Sequence, residues 1–173
     1  MNQNWMDGHK ALNIEALPMA TEPQNFQAGT LDLNVIVAEQ LASFKEDLDH
    51  LKAIIRYDVL PCINGSRGKV SHLFSNIISS IVKYPPALTK LIVYFRSQEA
   101  SPEVMDLTLP DGFKLFTISI FTNIQATENW RLKNSTLIAD CAAIIKSLEG
   151  TFATHFIVNT GCLYALHLPG KMN

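Results

Sequence analysis

From Leu31 onward apolar residues recur at three- and four-residue spacing: Val35, Ile36, Ala38, Leu41, Ala42, Phe44 and Leu48 share one stripe. This predicts an amphipathic helix, with Asp32 or Asn34 as its cap. The next segment, Lys52–Leu60 (KAIIRYDVL), is rich in β-branched and aromatic residues, ends at Pro61 and reads as a strand. Asn64, Gly65, Ser66 and Gly68 then predict a turn into a second helix, about Lys69–Lys83, halted by Pro85 and Pro86. Two strand-like runs follow, Lys90–Arg96 (KLIVYFR) and Phe113–Phe121 (FKLFTISIF), joined by a polar, proline-containing connection. A third helix is predicted over Ser135–Leu148, with Leu137, Ile138, Cys141, Ile144, Ile145 and Leu148 on one side and Gly150 as its stop. The ending TFATHFIVNTGCLYALHLP reads as two strands around a turn at Asn159, Thr160 and Gly161. Before all of these, residues 1–30 carry Gly8, Pro18, Pro23 and Gly29 with no sustained period, and read as an arm or linker to a single domain, 31–173.

The resulting order is helix, strand, helix, strand, strand, helix, strand, strand. It predicts an α/β (α+β) protein, a two-layer sandwich with about three helices packed on one face of a mixed sheet of about five strands. Composition agrees: 47% of the 173 residues are hydrophobic and 17% charged, enough for a sizeable core and too little charge for a disordered chain. The net charge of −2 shows no basic excess of the kind that drives binding to phosphate backbones, so no nucleic acid partner is expected. Cys62, Cys141 and Cys162 sit in apolar contexts without short paired spacing and read as buried thiols of a reducing compartment. His9, His50, His72, His155 and His167 show no metal-ligand spacing. Apolar runs such as Ile77–Val82 fall well short of the ~20 residues that span a bilayer. The start, MNQNWMDGHK, lacks the features of a secretion signal. A cytoplasmic chain without a membrane segment is expected.

One stretch makes the reading specific. LFSNIISSIVKY, Leu73–Tyr84, resembles the nucleotide-site helix of histidine-kinase ATPase domains, whose pattern QNLIxNAIKY carries two asparagines one turn apart. Those asparagines face ATP and help to hold its magnesium. Here the first is Asn76 and the second position is Ser80. Lys83 and Tyr84 match the family's phosphate-contacting lysine and adenine-side aromatic. The resemblance runs from about Leu31 to Pro169: DLNVIVAEQL is similar to the opening of that domain, LPCINGSRGKVSHLF to its approach to the helix, and GCLYALHLP to its closing GSTFYFTLP. It implies the Bergerat-type ATPase fold.

Elsewhere the family's site is lost. Its DNGIGI segment aligns with Thr122, Asn123, Ile124, Gln125 and Ala126, so the adenine-binding carboxylate is replaced by Thr122. Ile124 and Ala126 put side chains where glycines let backbone approach the nucleotide. Only Asn123 survives. The glycine-rich GLGL aligns with Ser135, Thr136, Leu137 and Ile138. Between Gln125 and Ser135 stand nine residues, ATENWRLKN, where the family carries a longer lid; Trp130, Arg131 and Lys133 read there as an exposed loop. The residual nucleotide-site positions are therefore Asn76, Lys83, Tyr84 and Asn123. No catalytic residue is assigned, and Asn76 reaches a metal only if magnesium-ATP still binds. The resemblance thus implies a degenerate domain that has lost ATP and needs no cofactor. It would act as a regulatory or interaction module in two-component signalling, docking on a histidine-kinase hairpin or a response regulator, alone or as a homodimer. The alternative is the catalytic ATP-binding domain of a divergent sensor histidine kinase, using ATP with magnesium. A phosphorylatable helical hairpin of ~60 residues does not fit into the first 30 residues.

Overall fold

The computed structural model describes residues 29–86, 89–101, 109, 111–124, 128–157 and 160–172. Most of the proposed arm, 1–28, lies outside the described residues. Along the chain run β1 (Thr30–Asp32), α1 (Leu33–Ser43), α2 (Lys45–His50), β2 (Ile54–Tyr57), β3 (Cys62–Asn64), α3 (Arg67–Val82), β4 (Ile92–Ala100) and β5 (Lys114–Thr122). They are followed by α4 (Glu128–Lys133), α5 (Ser135–Lys146), β6 (Thr151–Ile157) and β7 (Gly161–Gly170).

Asp32 caps α1, its carboxylate accepting from the Asn34 amide N–H at 2.8 Å. Asn34, the other candidate cap, has a different use. Its side chain accepts from the Leu60 N–H and donates to the Leu60 carbonyl, both at 2.8 Å, and so ties the start of α1 to the loop after β2. The single first helix expected from Leu31 is broken at Phe44, whose backbone leaves the helical range and separates α1 from α2. β1 and β3 were not predicted. Three residues each are too short for an alternating pattern, yet they pair antiparallel from Thr30↔Asn64 to Asp32↔Cys62.

The main sheet is mixed and five-stranded, in the order β2-β4-β5-β7-β6; β2 runs parallel to β4 and every other pair is antiparallel. Period-two alternation fixes its faces. Val93, Phe95, Ile118, Ile120, Cys162, Tyr164 and Leu166 are buried, while Ile92, Tyr94, Ser119, Phe121 and Leu163 between them stay partly exposed. Against the buried face lies α3, which supplies Val70, Leu73, Phe74, Ile77, Ile78 and Ile81, each wholly enclosed. Burying one such side chain stabilises by about 1.5–3 kcal/mol. α1 and α5 flank α3 and complete one helical layer. The two-layer sandwich is the architecture that the periodicity predicts. Cys62, Cys141 and Cys162 are all buried in it. Among the described residues no helix is long and apolar enough to cross a membrane.

Candidate functional site

The candidate site is the seam between the sheet and the helical layer, where α3 meets β7 and α5 and where α4 meets β6. Its floor is a cross-sheet row, Val93, Thr122, Cys162 and Phe156, followed one step along by Phe95, Ile120, Tyr164 and Thr154. Its wall is α3. Four-residue spacing puts Asn76 and Ser80 on one side of that helix. Half-buried Asn76 hydrogen-bonds the Cys141 thiol on α5. Ser80 is 0% exposed; its hydroxyl donates to the Ile77 carbonyl at 2.7 Å and lies 2.7 Å from the Tyr164 hydroxyl. A serine has one proton to give, so the phenol is the donor in the second bond. Ser80 thus serves to join α3 to the sheet.

Tyr164 is completely buried, stacked on Phe152 with centroids 6.4 Å apart, and sits beside Cys162. Burial raises the phenol above its ordinary range. Burial likewise pushes the Cys162 thiol up to about 12. Cys141 also stands at about 12, raised first by burial and then by the neighbouring Asp140 carboxylate, against the lowering effect of the Asn76 bond. All three groups are therefore protonated and neutral at physiological pH, and this wall offers no anionic ligand. Among the described residues no cluster of His, Cys, Asp and Glu has the make-up of a metal site.

At the end of β5, Thr122 is 0% exposed and its hydroxyl has no hydrogen-bond partner among the described residues. Gly161, at φ +154°, crosses so closely that a Cβ there would collide with the Thr122 carbonyl. Asn123 keeps its identity but not a cleft-facing role. Its Oδ1 accepts from the Ile92 N–H at 2.8 Å, and its Nδ2 donates to the Lys90 carbonyl at 2.9 Å and the Thr89 hydroxyl at 3.2 Å. The amide pins the start of β4. Ile124 is 0% exposed and belongs to the core; Gln125 and Ala126 lie outside the described residues.

The mouth of the cleft corrects one expectation. Trp130, read from the sequence as part of an exposed loop, is 1% exposed and stands on α4. Its ring meets Phe156 edge-on at 5.2 Å and Tyr84 edge-on at 6.4 Å. An indole buries about 150–250 Å² in such a setting, which outweighs any loop preference. Asn134 closes the short helix, donating from both its backbone N–H (3.0 Å) and its Nδ2 (2.9 Å) to the Trp130 carbonyl. Leu132, two positions on and so on the opposite side of α4, is 72% exposed, and Lys133 is exposed as well. The side chain of Arg131 lies outside the described residues. Lys83 is exposed at the C-cap of α3, and Tyr84 is half-buried under Trp130. Ser135, where the family has glycine, opens α5 and donates to the Leu132 carbonyl at 2.9 Å; Leu137 packs on the core.

Sequence reasoning missed Tyr164 and Trp130 as cleft residues. The alternation of β7 carried the signal for the first, since Cys162, Tyr164, Leu166 and Leu168 must share one face. Nothing in a six-residue helix marks the second.

No protein-family profile and no curated protein matches the sequence. Solved structures do. The catalytic domain of the histidine kinase ThkA superposes with a TM-score of 0.63 at 12% identity, over 84% of this chain and 97% of that one. The mycobacterial sensor histidine kinase MprB gives 0.63 at 12% identity, over 83% of this chain and 98% of that one. The ATP-binding domain of PrrB from Mycobacterium tuberculosis gives 0.59 at 15% identity, over 82% and 96%. At such identities the likeness establishes the fold, which is that of the catalytic ATPase domains of sensor histidine kinases.

Proposed function

We propose that this chain, built on the fold of a histidine-kinase catalytic domain, is a regulatory or protein-interaction module of two-component signalling whose cleft no longer takes ATP. The observation that carries this reading is Ser80. At the position where the resemblance places a magnesium-holding asparagine stands a shorter side chain whose hydroxyl is already shared between Ile77 and Tyr164. The other residues argue the same way. Asn123 is committed to the backbone of 90–92, Ile124 is core, and Trp130 fills the space against Tyr84 and Phe156. Magnesium-ATP does not fit this donor set.

Losing one hydrogen bond to a charged group weakens binding by about 1.5–3 kcal/mol, so two such losses amount to about a hundredfold to ten-thousandfold in Kd. With the cleft closed, the surface carries the function. Its partner is a protein of the same signalling system, a histidine-kinase hairpin or a response regulator, met in the cytoplasm. Asn76, Lys83 and Tyr84 favour a second reading, the catalytic domain of a divergent sensor kinase: Lys83 is exposed at the end of α3, where a phosphate-contacting lysine belongs by resemblance. Thermal melting with about 1 mM ATP analogue and magnesium separates the two. A ligand at a hundred times its Kd adds about 2.7 kcal/mol of stability, a rise of roughly 5–10 °C for a domain of this size. The proposed module shows no rise; a rise that depends on magnesium supports the catalytic reading.

A further inference from the structure

The two edges of the five-stranded sheet are unlike. At one edge β2 is four residues long and carries Arg56; at the other β6 is seven residues, TFATHFI, without Lys, Arg, Asp, Glu or Pro. Its register with β7 is unbroken from Thr151↔His167 to Ile157↔Gly161, so no bulge turns the edge away. Edge strands are ordinarily blunted by charge, proline, bulges or shortness. β6 has none of these guards, and among the described residues no strand lies beyond it. We propose that β6 is a self-association edge, pairing antiparallel with β6 of a second copy of this chain about a two-fold axis at Thr154.

The strand is self-complementary about that residue. Pairing centred on Thr154 sets Phe152 against Phe156 of the second copy, Ala153 against His155, and Thr151 against Ile157. Phe152, Thr154 and Phe156 share the helix-covered face, where both phenylalanines already pack on the core, so the aromatic rings meet on the same side. His155, the one titratable residue of β6, faces an alanine, and no like charges are opposed. The same patch serves both copies, as a two-fold interface requires. Seven residues span about 24 Å of edge at ~3.4 Å each. A strip of that length and about 10 Å depth buries a few hundred Å² per copy, below the ~800 Å² of a stable interface. The dimer is therefore dissociable, and its population rises with concentration.

Sedimentation equilibrium of the full chain, in a series reaching about 1 mM, tests this. The expected result is a reversible monomer–dimer equilibrium that Ala153→Lys, a change on the open face outside the core, weakens at least about tenfold. Under oxidised glutathione, Thr154→Cys gives a disulfide-linked dimer because the axis brings the two thiols opposite each other, whereas Ile157→Cys does not. A chain that stays monomeric throughout, an equilibrium indifferent to Ala153→Lys, or cross-linking as fast through Ile157→Cys as through Thr154→Cys overturns the proposal. Should Thr154→Cys fail to fold, the effect of Ala153→Lys decides alone.

Discussion

At the scale of single residues the cleft is defined by what its polar groups are already bonded to. Ser80 and Tyr164 form one buried unit, and the two partners are not equivalent: Ser80 also bonds Ile77, while Tyr164 leans on Ser80 from inside the core. Ser80→Ala leaves the buried phenol its bond to Cys162, so it and Tyr164→Phe are each expected to cost about 0.5–1.5 kcal/mol by urea unfolding. Ser80→Asn, which installs the asparagine of the histidine-kinase pattern, is expected to overpack against Tyr164 and destabilise by about 1–3 kcal/mol, without making the melting temperature respond to magnesium. The thiols give a pH signature. Cys141 and Cys162 rise from the ordinary 9.0 to about 12 in the fold, so the stability they contribute is complete below pH 9 and is lost as pH climbs from 9 towards 12. The loss is at most about 1.4 kcal/mol per pH unit for each thiol. Urea midpoints measured between pH 8 and about 10.5 check it, and Cys141→Ala with Cys162→Ala should flatten the fall. The sequence singled out Asn76 and Ser80 because four-residue spacing is local. Their partners, Cys141 and Tyr164, come from elements far along the chain, and pairing of that kind has no local signature.

At the scale of elements, legibility followed length. α3, α5, β5 and the closing hairpin were predicted close to where they stand, because each is long enough to show its period, whereas β4, expected over Lys90–Arg96, runs Ile92–Ala100 and takes in Ser97–Ala100, which the polar pattern had given to the connection. The failures were short: the three-residue strands β1 and β3, the break at Phe44 and the six-residue α4. α4 matters most, since it turns the expected loop into the cover of the cleft. Trp130→Ala is accordingly predicted to cost about 3–5 kcal/mol, the range for emptying a buried aromatic site. Leu132→Ala, on the exposed side of the same helix, should stay within about 0.5 kcal/mol. Equal and small effects in chemical denaturation would return Trp130 to the surface role that the sequence suggested.

At the scale of the whole molecule, the layer order and the sheet topology are those of a histidine-kinase catalytic domain, while Trp130 packs on Phe156 and Ser80 bonds Tyr164 between the helical layer and the sheet. Fold and site rest on different residues. The fold depends on apolar positions such as Phe74, Ile77, Ile120 and Leu166, which tolerate exchange among hydrophobes. A nucleotide site depends on a few amides, carboxylates and glycines for which no hydrophobe substitutes. Whether ATP has a place here is read by calorimetric titration of the purified chain with a non-hydrolysable ATP analogue, run with and without magnesium. A domain that has lost ATP gives no binding heat up to about 1 mM nucleotide in either condition. Micromolar binding that requires magnesium would contradict that loss.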